Sequence, residues 1–132
     1  MTKFTQQEEW EYQVHFRDAE AIGHNAGVSH KPTPIRIYQA DIMGNRLSED
    51  SVIDDGCCGS AWINIKPANK RFAKWLKETE RARPDSYYGG ITIWIHDHNQ
   101  SYEKKKKHAE AMASYLQGKF PDIKFRAMSR LD

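Results

Sequence analysis

Residues 90–98, Gly-Ile-Thr-Ile-Trp-Ile-His-Asp-His, set Ile91, Ile93 and Ile95 against Thr92, Trp94 and His96. A period of two with a β-branched residue at each apolar position predicts a strand, about Gly90 to His98, with one buried face. A lone strand cannot bury that face, so neighbouring segments have to cover it.

Two helical patterns flank the strand. Asn69 can cap a helix running to about Arg81, with Phe72, Trp75 and Leu76 on one side, and Pro84 ends the segment. Ser101 can cap another, to about Gly118, whose apolar stripe holds Tyr102, Ala109, Met112, Ala113 and Leu116; Pro121 breaks it. Ala61 to Lys66, stopped by Pro67, and Ile123, Phe125 and Ala127 read as further strands.

Upstream, Trp10, Tyr12, Val14 and Phe16 alternate with Glu11, Gln13, His15 and Arg17, a half-buried strand over residues 9–17. Residues 18–34 carry Gly23, Gly27, Pro32 and Pro34 and read as a loop. A strand follows from about Ile35 to Ile42, with Met43-Gly44-Asn45 as its turn. Residues 44–60, with Glu49, Asp50, Asp54, Asp55, Gly56 and Gly59, read as a mobile acidic loop.

The expected order is β-β-β-α-β-α-β. The fold class is α+β: one domain over residues 1–132, about five strands in a mainly antiparallel or mixed sheet, two helices on one face. The β-α-β-α-β half resembles a ferredoxin-like arrangement. A length of 132 residues suffices for one core without staples.

Charge is unevenly placed. The net +2 conceals five Lys/Arg against ten Asp/Glu in residues 1–60, and seven against two in residues 61–83. Residues 101–132 hold eight against four. Lys70, Lys74, Lys77 and Arg81 fall at i, i+4, i+7 and i+11, one ridge of a helix. Lys104 to Lys107 occupy the first two turns of the other helix, where positive charge opposes the macrodipole at about 0.3–1 kcal/mol each. Of these, Lys105 falls beside the apolar stripe, its stem along the core edge and its ammonium directed outward. Lysine-rich faces are commonly just solvated; the placement of Lys104, Lys106 and Lys107 favours an anionic partner.

Tyr87, Tyr88 and Trp94 are the aromatic candidates beside that charge, since stacking platforms next to basic grooves suit single strands and nucleotides; sheet packing is the competing reading. Gly89-Gly90 permits positive φ, for a tight turn or a phosphate. His96 and His98 share a face at strand spacing and offer two metal ligands, with His15 as a candidate third. Cys57 and Cys58 are adjacent, a poor basis for a disulfide framework, and their acidic surroundings suppress the thiolate a nucleophile needs. No apolar run reaches bilayer length, the N-terminus lacks the apolar stretch of a secretory signal, and a cytoplasmic protein is expected.

Ala61-Trp62, Phe72-Ala73-Lys74-Trp75-Leu76-Lys77, Tyr88-Gly89-Gly90 and Ile93-Trp94, with the ending Met128-Ser129-Arg130-Leu131-Asp132, resemble segments of small bacteriophage and prophage accessory proteins. The resemblance spans roughly residues 60–132 and brings no functional residues. It implies an accessory setting in a host cytoplasm, where such proteins block host defence machinery or sequester nucleotide signals.

The expected function is non-catalytic binding of an anionic partner (nucleic acid, a nucleotide, or an acidic protein surface) through the basic helices, without a cofactor. One alternative is a metal-dependent hydrolase centred on His96 and His98. Another is a homo-oligomeric inhibitor joined through its acidic and basic halves.

Overall fold

Thr5-Gln6-Gln7-Glu8 is a helix start: the Thr5 hydroxyl accepts from the Glu8 N–H, and the Glu8 carboxylate accepts from the Thr5 N–H. In a computed structural model, which describes residues 2–31, 35–40, 46–53 and 57–132, this capping box opens α1, Gln6–Ser29. The expected strand over residues 9–17 and the part of the expected loop over 18–29 are therefore corrected to a single 24-residue helix; residues 32–34 of that loop lie outside the described residues. Its inward positions are Tyr12, Phe16, Ala19, Gly23 and Gly27, spaced by four, three, four and four. Trp10 is exposed although Tyr12 and Phe16 face inward, so burial at the start of α1 follows the helical spacing and not the alternation by two.

Two strands follow, β1 (Ile35–Ala40) and β2 (Arg46–Ile53), paired antiparallel in a sheet of their own. β2 lies within what composition marks as a mobile acidic loop, a second correction; the expected turn at Met43-Gly44-Asn45 lies outside the described residues.

The remainder runs β3 (Gly59–Lys66), α2 (Arg71–Glu78), β4 (Arg83–Pro84), β5 (Ile91–Trp94), α3 (Tyr102–Lys119) and β6 (Lys124–Leu131). These strands form one antiparallel sheet in the order β4-β5-β3-β6. With β4 included, the half-chain is β-α-β-β-α-β with its first and third strands adjacent at the centre, the split ferredoxin-like arrangement. The α+β class holds; among the described residues, three helices replace the expected two, and a four-stranded sheet with a separate two-stranded one replaces the single sheet of about five.

Alternation divides the sheet into two faces. Ala61, Ile63, Ile65, Ile91, Ile93 and Phe125 point inward and are buried with Phe72, Trp75 and Leu76 of α2, Met112 and Leu116 of α3, and Phe16 of α1. One core thus takes a share from each helix. Phe72 stacks on Phe120 at 3.9 Å between ring centroids, and Tyr12 meets Phe72, Trp75 and Phe120 edge-on or tilted. Arg71 closes the outside of this cluster with two bonds to Glu8 and one to the Lys3 carbonyl. The Arg71 hydrogen bond, then the Thr5 N–H, pull the Glu8 carboxyl down to about 2.

α1 packs along α3, and glycines set the approach. A Cβ at Gly23 would lie 2.5 Å from His108 Cδ2, and one at Gly27 would lie 2.3 Å from His98 Nε2. Neither position accepts a side chain without something moving.

Candidate functional site

The opposite face of the sheet carries the rings. Trp62, Trp94 and Met128 are cross-strand neighbours on β3, β5 and β6, and therefore share that face. Trp62 and Trp94 lie 4.9 Å apart by ring centroids, and Tyr88 leans over Trp62 at 6.5 Å. Tyr87 meets Tyr88 edge-on at 4.6 Å. Trp94 is 48% exposed and Tyr87 84%, although Trp94 sits on a central strand.

The Tyr87-Tyr88 turn is held from below. Asp85 accepts from the Tyr87 and Tyr88 N–H groups at 2.9 Å each and from the Thr92 hydroxyl at 2.7 Å. Chiefly through the Tyr88 N–H, then Thr92, these bonds hold the Asp85 carboxyl below its usual range. Asn64 donates to the Gly89 carbonyl. Gly89 and Gly90 have φ of +80° and +67°, and a Cβ at Gly90 would stand 2.2 Å from the Ile65 carbonyl oxygen. The two glycines serve this turn and its close approach to β3.

Lys66, Arg83, Lys124, Arg126 and Arg130 extend from the same face by strand alternation and pairing, all exposed. A cleft of 450 Å³ lies between Ser60, Trp62, Asp85, Tyr87, Tyr88, Trp94 and Arg130. Its floor is aromatic, and its polar lining is Ser60, Asp85 and Arg130.

The helix ridge does not form as the sequence predicts. α2 begins at Arg71, so Lys70 is its N-cap, with no side-chain cap bond, and lies 3.9 Å from Asp122; Asn69 precedes the cap. The helix ends at Glu78, and Glu80 has φ of +61°. Arg81 therefore leaves the ridge and lies over Trp75 at 4.5 Å and Phe16 at 5.5 Å. Lys74 is half-buried and Lys77 exposed. Arg81 instead lines a 790 Å³ groove with Arg17, Glu20, Arg83, Trp94 and His96, running beside the free end of β5. On α3, Lys106 and Lys107 are exposed and Lys104 half-buried, while Lys106 faces the Tyr102 ring at 5.9 Å. Lys105 is buried with its ammonium turned inward onto the Gly59 carbonyl at 3.5 Å, not outward as expected.

His96 and His98 are not joined at one centre. The strand ends at Trp94, so its period of two no longer governs them. His96 lines the groove. His98 has φ of +71° and lies with His24 and Asp97, whose ligand atoms all fall within 4.8 Å of one another. His24 Nδ1 is 2.8 Å from Asp97 Oδ2, and His98 Nε2 is 3.0 Å from His108 Nδ1. The hydrogen bond from His24 lowers the Asp97 pKa. Burial holds His108 down to about 4, against the pull of Asp97. His24 falls in the segment whose composition reads as loop, and its signal is the helical spacing Gly23–Gly27 that brackets it. His15 is not part of this group, and Cys57 and Cys58 are exposed and free.

Among the described residues no helix is long and apolar enough to cross a membrane. No family model, curated protein or solved structure matches the chain.

Proposed function

We propose that the protein binds single-stranded nucleic acid, without chemistry, on the outer face of the β4-β5-β3-β6 sheet. The observation that carries this reading is Trp94, half exposed on a central strand beside Trp62 and Tyr88, among exposed lysines and arginines. Burying a large aromatic side chain is worth about 1.5–3 kcal/mol, so leaving Trp94, Tyr87 and Tyr88 exposed beside the buried Trp62 forgoes stability that the inner face collects. Unstacked bases lay their faces on such rings, and four-stranded sheets that read single-stranded RNA stack two or three bases this way. Paired bases are already stacked, and a duplex offers this face only its backbone.

Cations around the rings supply the phosphate contacts. Each neutralised phosphate contributes a slope of about −0.7 to log affinity against log salt for single strands. Arg81 and Arg83 extend the basic surface from the sheet into the groove beside β5. Lys77, Lys106 and Lys107, on the helices, add long-range attraction rather than contact.

The test is titration with single-stranded DNA and RNA oligonucleotides, followed by tryptophan fluorescence and anisotropy across salt concentrations. Quenching, a falling affinity with salt and preference over the matching duplex are the expected results. Equal binding of duplex, or no quenching at saturation, overturns the stacking arrangement. A mononucleotide that saturates the site as tightly as an oligonucleotide points instead to a nucleotide messenger.

A further inference from the structure

The groups around His98 have no role in stacking bases, and they are assembled from three separate elements. His24 comes from α1, Asp97 and His98 from the loop after β5, and His108 from α3. The assembly carries local costs. Two glycines in the interior of α1 give up helix stability relative to alanine. Consecutive non-glycine residues, His98 and Asn99, adopt φ of +71° and +52°, a left-handed region that L-residues rarely enter. The glycines admit the His98 and His108 rings against α1, and the turn aims His98 at Asp97 and His24.

We propose that His24, Asp97 and His98 bind a divalent transition-metal ion, zinc, which pins α1 to the β5–α3 loop. Two imidazoles and a carboxylate are a zinc-type donor set, and tetrahedral bonds of about 2.0–2.2 Å place ligand atoms roughly 3.3–3.5 Å apart. The three groups lie within 4.8 Å of one another; loading replaces the 2.8 Å His24–Asp97 hydrogen bond, opening that pair by about 0.5 Å, and draws in any wider spacing. The His24 and His98 rings are stacked at 5.3 Å and 23°, and they splay as their nitrogens turn toward the ion. His24 and Asp97 are half exposed, which leaves the fourth position open to water. His108 is a positioning residue: nearly fully buried, it bonds the His98 ring from behind and fixes its orientation.

Protein purified without a histidine tag and stripped with chelator is titrated with zinc chloride by calorimetry, and its thermal midpoint is followed in parallel. One ion per chain and a rise in midpoint are expected. His24→Ala and Asp97→Asn are expected to lose binding by at least tenfold, and His108→Gln by about 10- to 100-fold. Circular dichroism of the metal-free variants reports whether each has folded. His96→Ala is expected to bind as the parent does. Absence of stoichiometric binding, binding unchanged in the folded His24→Ala/Asp97→Asn double variant, or loss of binding with His96→Ala overturns the site. Oligonucleotide affinity of the His24, Asp97 and His108 variants stays at the parental value, so this proposal and the nucleic-acid reading fail separately.

Discussion

The outer face of the sheet and the seam between α1 and α3 both gather rings, under opposite rules. On the sheet, Trp94 and Tyr87 stand open beside a cleft, each touching one neighbouring ring and otherwise facing solvent. In the seam, His98 and His108 are wedged against helix backbone, with no room for one methyl group at Gly27. An open ring is available to a ligand and adds little to stability. A wedged ring gives its position to the fold, and only a small ion can exploit it.

The largest expected effect separates the two regions by binding. Trp94→Ala removes a stacking surface worth about 1–3 kcal/mol per base, a loss of about 5- to 150-fold in oligonucleotide affinity. Its unfolding free energy in urea changes by only about 1 kcal/mol, the worth of one aromatic pair. Gly27→Ala is the reverse case. It overfills the seam at a cost of about 1–3 kcal/mol, measured by urea unfolding, and leaves oligonucleotide affinity unchanged.

Charge reversals sharpen the comparison. Arg126→Glu with Arg130→Glu lowers the salt slope of binding by about 1 to 2, as expected when contacted phosphates are lost. Lys77→Glu on α2 weakens binding slightly and lowers the slope by less than the sheet pair does. Equal slopes for the two variants would move the contact surface from the sheet to the helix.

The smaller effects concern stability alone. A Cβ added at Gly118, on α3, would meet nothing within 4 Å, so Gly118→Ala stabilises by about 0.4–1 kcal/mol. The Glu8 carboxyl is held down to about 2 in the folded chain by Arg71, below its ordinary 4.5. Its stabilising contribution is complete above the ordinary value and is lost as pH falls through about 2. Acid unfolding of Glu8→Gln shows a weaker pH dependence across that window.

How far the sequence discloses this differs between the same two regions. The sheet half is legible because Ile63, Ile65, Ile91, Ile93 and Phe125 are large, apolar and regularly spaced, and Ser101 does cap α3. β4 is not, being two residues, Arg83 and Pro84, with a ladder too short to leave a period. The seam is hidden because α1 meets α3 through Gly23 and Gly27, residues with no apolar signal. Four alternating residues at its start imitate a strand, and the better guide is Thr5 with Glu8. Of the site residues, Tyr87, Tyr88 and Trp94 are brought to the sheet cleft, whereas Trp62 joins them from a segment legible only as a strand. His98 is brought to a cluster, but with His24 and Asp97, because strand spacing stops where the strand does.

The sheet's two borders have a consequence for self-association. β6 is an outermost strand, and Lys124, Arg126 and Arg130 stand along it; the other border is two residues long and contains Pro84. Repeated cations and a residue without an N–H both discourage an incoming strand from zipping on. Both described borders thereby disfavour extension of the sheet by a strand from another copy of this chain.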